Sequence, residues 1–170
     1  ASLEHPGVLV QHGPILRVVF GPRDPSYISP ILSAIQSDLC ESGIDGVLST
    51  HIQRDAFEKF SYVSPIGAAG VYLHAVAGDF QKEGPARELF KSMIREISAL
   101  AAAMGYPFEK DYVKINLEIL SNLSADATTS MQRDIIEGKP SELDGLVMEP
   151  LRLAKKYSVS MPGYEEVAKV

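Results

Sequence analysis

The chain has 170 residues, of which 45% are hydrophobic and 22% charged, with a net charge of −6. That is the balance of a soluble globular domain large enough to build one apolar core without disulfides or metals. The acidic excess argues against binding a nucleic-acid backbone, and no run reaches the ~20 apolar residues of a membrane span. The first residues, Ala1 to Pro6, lack the basic and apolar regions of a secretion signal. The one cysteine, Cys40, has no partner within the chain, which points to a reducing, cytoplasmic setting.

Two short β-branched runs come first, Val8–Val10 and Ile15–Phe20, separated by His12-Gly13-Pro14. They predict two strands joined by a turn, and a lone hairpin is marginal in water, so the segment reads as a piece of a larger sheet. Turn residues from Gly21 to Pro25 close it. From Ser29 onward the periods are helical. Pro30 opens a helix whose face is Ile31, Ile35 and Leu39, ended by Ser42-Gly43. On that stripe Cys40 reads as an inert core thiol.

A second helix opens near Thr50, with Ile52, Ala56, Phe60 and Val63 in step. Pro65 and Gly67 interrupt it, and Ala68 to Ala77 stays small and apolar. This predicts a kinked, buried helix against which another backbone can lie close. Gly67-Ala-Ala-Gly70 is the chain's nearest approach to a phosphate loop, but within an apolar helix it serves packing. Pro85 to Met104 is the clearest helix, with Leu89, Met93, Ile97, Leu100 and Met104 as its stripe and Gly105 as its stop. Asp111 to Leu123 follows, with Val113, Leu117 and Leu120 on one side. Ser124 then caps a helix ending at Gly138, and Ser141 with Asp144 forms a capping box for a helix to about Tyr157, bent at Pro150. A last turn follows Pro162. The expected architecture is mainly α, with a β segment over 1–24 and a helical domain over 25–170.

No Gly-x-Gly-x-x-Gly fingerprint, Walker loop or nucleophile elbow occurs, and His5, His12, His51 and His74 have no metal-ligand spacing. Two segments remain chemically interesting. Lys59 lies in the middle of an otherwise apolar helix. It is either a solvated lysine beside Glu58 or an ammonium facing a cleft, able to donate a proton to an oxyanion. In the second segment, Ser130 sits on one helix and Glu142 at the start of the next. Ser130 reads either as a back-bonded helical serine or as a ligand-binding hydroxyl, and Glu142 either as a helix-dipole acid or as a ligand-binding carboxylate.

The run from Thr128 to Asp144 resembles the signature of the C-terminal domain of ketopantoate reductases (2-dehydropantoate 2-reductases), as does Leu151 to Pro162. The Phe57-Glu-Lys59-Phe run is similar to the family's lysine motif. Glu96 falls at its acidic mid-helix position, and Pro6-Gly-Val8 and Phe20-Gly-Pro22 look like closing strands of its nucleotide-binding domain. The resemblance implies a helical domain of the 6-phosphogluconate-dehydrogenase-like type, with an N-terminal β remnant of a Rossmann domain. It further implies reduction of a small 2-keto acid with NADPH in a cleft between this domain and a Rossmann half that this chain lacks. By position, Lys59 would be the general acid, Ser130 would hold the substrate carboxylate and Glu142 a substrate hydroxyl. Such a fragment would bind no cofactor tightly by itself, and a homodimer is an expected state. The family usually has asparagines one and two helical turns after the lysine. Here those positions are Val63 and Gly67, which implies a different, more apolar keto acid. The competing reading is a non-catalytic dimerisation module that uses the small-residue stretch Ile66–Ala77.

Overall fold

The computed structural model describes residues 2–10 and 16–169, in two compact units, Ala1–Ile52 and Gln53–Val170. In the first unit, β1 (Ser2–His5) and β2 (Val8–Val10) pair antiparallel across Pro6-Gly7, where Gly7 takes φ +87°. β3 (Arg17–Phe20) instead runs parallel to β4 (Asp45–Leu48), with α1 (Pro30–Glu41) as the crossover between them. The two β-branched runs therefore do not pair with each other, as a turn between them would require. Each finds its partner elsewhere, and the expected turn at His12-Gly13-Pro14 lies outside the described residues. β4 carried no expectation at all, because Asp45-Gly-Val-Leu is too short and too interrupted to declare itself as a strand. Gly46 explains how α1 reaches it: a Cβ there would stand 2.9 Å from Leu39 Cβ.

α1 buries no residue completely, and the stripe assigned to its inner side is largely open, with Ile31 60% and Ile35 40% exposed. Cys40 is exposed as well, not a core thiol, because a two-stranded sheet is too narrow to cover a helix face.

The second unit is entirely helical. It comprises α2 (Ile52–Leu73), α3 (Ala77–Gln81), α4 (Pro85–Ala103), α5 (Tyr112–Ser121) and α6 (Ser130–Ile136). A π-turn (Asp144–Met148) then runs directly into α7 (Glu149–Tyr157), and α8 (Pro162–Val167) closes the unit. Its core is built on α4, whose Phe90, Met93, Ile94, Ile97 and Leu100 are buried against α2, α5, α7 and α8 side chains such as Ile66, Leu120, Ala154 and Tyr164. The small-residue stretch assigned to a dimer contact is consumed here: Ile66, Ala68, Ala69, Val71, Ala75 and Ala77 are all buried within the unit. No helix among the described residues is long and apolar enough to cross a membrane.

Gly67 and Gly70 do bring a neighbour close, as expected. A Cβ at Gly67 would lie 3.1 Å from Met131 Cε, and one at Gly70 only 2.7 Å from Gln132 Cδ, so the start of α6 seats on this side of α2. Ser124 does not cap α6. Its carbonyl closes a turn to Ala127, and Ala125 and Ala127 accept the N–H groups of Gly78 and Ala77, which holds the chain out of helical conformation. The cap is Thr129, reciprocated by Gln132 in a capping box. Ser141 and Asp144 likewise form no box; Asp144 is held by Arg152 at 2.8 and 3.0 Å instead.

Two prolines stand inside the helical run, and each removes a backbone donor. Pro65 leaves the Ser61 carbonyl, four residues earlier, without its helical partner. The buried Asn116 on α5 supplies a donor, with Nδ2 at 3.1 Å from that carbonyl and 3.0 Å from Ser61 Oγ. Pro150 does the same to Leu146, and there Ser64 Oγ donates at 2.6 Å. An Asn116→Ala substitution strands a buried carbonyl and is expected to cost about 1–3 kcal/mol. In a Pro65→Ala background, where residue 65 regains its N–H, the same substitution costs measurably less. A double-mutant cycle in urea checks this, and additive losses would show that Asn116 does not serve the proline gap.

Candidate functional site

Lys59 lies two turns into α2 with its side chain exposed. Its sequence neighbour Glu58 does not pair with it. Glu58 faces Arg54 at 3.9 Å and the Tyr112 hydroxyl, whose pKa burial and that carboxylate both push up. Arg54 also pairs with Glu109. Among the described residues Lys59 has no ion-pair partner and is solvated, next to Glu58 in sequence but not paired with it. Along the same side of the helix stand Val63, 38% exposed, and then Gly67. The position two turns after Lys59, about 12 Å along the axis, is where α6 begins.

Ser130 is the first residue of α6, exposed, immediately after the capping Thr129. Its place is fixed from both sides. Met131 and Thr129 lie against Gly67, and Gln132, inserted beside Gly70, donates to the Ala75 carbonyl at 2.7 Å. The Ser130 side chain is a hydroxyl on an exposed residue at this helix start, a group able to donate to a carboxylate.

Glu142 is exposed just before the π-turn, and its carbonyl accepts from the Leu146 N–H at 2.8 Å. The Leu146 carbonyl is the one that Ser64 on α2 holds. One helix thus carries Lys59 directly and anchors the backbone near Ser130 through Gly67 and Gly70, and near Glu142 through Ser64. No hydrogen bond or ion pair joins the three side chains, and they do not line the apolar groove of about 290 Å³ formed by residues including Phe57, Phe60, Leu100, Pro150 and Leu153.

Glu96, buried on α4, has a specific task. Its carboxylate accepts from the Gly163 and Tyr164 N–H groups at 2.9 and 3.1 Å, at the N-terminus of α8, and from Ser92 Oγ at 3.2 Å. Gly163 is required by this approach, since a Cβ would come within 2.8 Å of Glu96 Oε1. Sequence reasoning passed over Ser64, Asn116, Gln132 and Tyr164. Two signals could have found some of them: Thr129-x-x-Gln132 is itself a capping-box pattern, and each proline within a helical run announces a carbonyl needing a donor.

Residues 51–170 match the family described as "Ketopantoate reductase PanE/ApbA C terminal". The chain belongs to this family. A curated relative, a 2-dehydropantoate 2-reductase of Nostoc sp., is 24% identical over 135 residues, 79% of this chain and 42% of its own length. The crystal structure of 2-dehydropantoate 2-reductase from Methylococcus capsulatus superposes with a TM-score of 0.80 at 24% identity, covering 92% of this chain and 49% of that one. A D-mandelate dehydrogenase solved with NADH and anilino(oxo)acetate shares the fold at a TM-score of 0.77 and 18% identity, over 90% of this chain and 64% of that one. The chain therefore spans about half the length of the ketopantoate reductases it matches. Family membership and the mainly helical fold of the C-terminal domain stand as the resemblance implied.

Replacing Glu96 with Ala leaves two buried N–H groups without an acceptor and is expected to destabilise the fold by about 1.5–3 kcal/mol. Chemical denaturation checks it; a loss within error of zero would mean that water fills the acceptor's place. Burial also pushes the Tyr164 hydroxyl well above the usual tyrosine range. The sign follows directly. An unfolded tyrosine ionises near pH 10 while the folded one stays protonated, so this contribution is complete below about pH 10 and is lost as pH rises above it. Unfolding midpoints measured between pH 8 and 11 should fall at the alkaline end, and less steeply in Tyr164→Phe.

Proposed function

We propose that the chain is the substrate-binding part of an NADPH-dependent 2-keto acid reductase, working only with a nucleotide-binding half. The observation that carries this reading is the family match over residues 51–170, with Lys59 exposed and, among the described residues, unpaired on the helix that also anchors the segments bearing Ser130 and Glu142. The sequence carries no Gly-x-Gly-x-x-Gly loop of the kind that receives a dinucleotide pyrophosphate. The hydride donor is therefore assigned to the other half, and this chain's contribution is confined to the keto acid.

In that role, Lys59 places an ammonium where negative charge develops on the carbonyl oxygen, then gives up the proton that makes the alcohol. Ser130 donates a hydrogen bond to the substrate carboxylate, and Glu142 accepts a hydrogen bond from a substrate hydroxyl. Val63 offers an apolar wall one turn beyond Lys59. Gly67 has no side chain, and a Cβ there would lie 3.1 Å from Met131 Cε, so α2 offers no polar side chain at either position. Both features favour a keto acid with an apolar substituent on the side of α2.

The test joins this chain behind the nucleotide-binding domain of a family member and follows NADPH oxidation with a panel of 2-keto acids. Reduction of at least one is expected, and Lys59→Ala should lower kcat by about 10²–10⁴. Full activity of that variant would remove Lys59 as the acid, and an inactive fusion that binds NADPH and is fully folded would remove the reductase reading.

A further inference from the structure

Glu142 is the most weakly supported of the three proposed site residues by its own surroundings. It is exposed, it lies between Pro140 and a π-turn, and its side chain has no partner among the described residues. A carboxylate that is to recognise one hydroxyl needs a backbone held in place. The Leu143–Glu149 segment is a poor candidate for holding itself, because a π-turn has fewer good ladder bonds than an α-helix and Pro150 withholds the donor that Leu146 would use.

We propose that Tyr164 is a positioning residue for Glu142, acting through Ser64 and the Leu146 peptide; the substrate side of this assignment rests on the reductase reading above. The route is continuous. The Leu146 N–H donates to the Glu142 carbonyl at 2.8 Å, and the Leu146 carbonyl accepts from Ser64 Oγ at 2.6 Å. Ser64 Oγ lies in turn against the Tyr164 hydroxyl, with both residues completely buried. Proton direction is determined at each junction. A carbonyl only accepts, so the Ser64 hydrogen points to Leu146, and the Tyr164 hydroxyl must then donate to Ser64. Burial keeps that phenol protonated, and so a donor. At its far end Tyr164 is held by its own N–H on Glu96. A donor chain of this kind supplies the Leu146 carbonyl with the donor that Pro150 lacks, so the peptide units on either side of Leu146 are both held. Glu142 is thereby set by a tyrosine 22 positions later in the chain.

Tyr164→Phe removes the hydroxyl and leaves the ring. In the 170-residue chain, amide hydrogen exchange is expected to speed up at Leu146 on the order of tenfold relative to amides of α4 and α5, with the Gly163 amide on Glu96 unchanged. Ser64→Ala should give the same local pattern and serves if the tyrosine variant folds poorly. In the two-domain protein, Tyr164→Phe should raise KM on the order of tenfold for a 2-keto acid bearing a hydroxyl, with kcat altered less than about twofold and little change for a keto acid lacking one. Unchanged protection at Leu146, or uniform acceleration across all the helices, overturns the proposal, as does an equal KM change for both substrates. If the wild-type fusion reduces no 2-keto acid, the reductase reading falls, and the exchange pattern alone decides whether Tyr164 holds the 142–146 turn.

Discussion

A proline inside a helix removes one donor and leaves a carbonyl that must find another, and the second unit of this protein is arranged around two such carbonyls. A buried carbonyl without a partner costs about as much as a whole helix cap contributes. Pro65 and Pro150 each stand four residues after a buried or nearly buried peptide oxygen, and each gap is filled by a side chain from a different helix. Asn116 ties α5 to α2, and Ser64 ties α2 to the π-turn. These bonds hold because they lie out of water, where a satisfied polar group is stabilising and an unsatisfied one is not tolerated. The consequence is geometric. The long helix α2 is fastened at fixed heights to its neighbours, which apolar packing alone would leave free to slide.

The same helix organises the segments that matter for function. Glycines at 67 and 70 admit the start of α6, and the Thr129–Gln132 box closes that helix end against the Ala75 carbonyl. Ser64 reaches the other segment. Ser130 and Glu142, twelve positions apart in the chain, are therefore referred to one rigid element that also bears Lys59. Glu96 adds a third fastening by holding the N-terminus of α8, from which Tyr164 extends inward. Buried polar groups are few here, and nearly all of them connect two helices rather than stabilising one.

The first unit follows a different logic. β3, α1 and β4 form a right-sized crossover for a parallel sheet, yet the sheet stops at two strands and α1 leaves Ile31 and Ile35 open. Parallel strands are ordinarily covered on both faces. Among the described residues nothing covers this apolar side of α1.

The longer helices of the second unit were legible because their apolar stripes recur at three and four residues, whereas the five-residue α3 is too short to show a period. α4 is the clearest, with Met93, Ile97 and Leu100 buried where the period placed them. The family signature from Thr128 to Asp144 was legible for the same local reason, as a contiguous pattern. Strand partners were not legible, since Val8–Val10 and Arg17–Phe20 carry the same alternation whichever strand they pair with. Nor was the exposure of Cys40, which depends on how wide a sheet lies beneath α1. Lys59, Ser130 and Glu142 could be named from sequence, but what holds them could not. Asn116, Ser64 and Tyr164 look like ordinary polar residues until tertiary contacts bring the first two to carbonyls 55 and 82 positions away and the third to the Ser64 hydroxyl 100 positions away. A local pattern determines which residues form a helix; only the packed structure decides which distant hydroxyl or amide completes it.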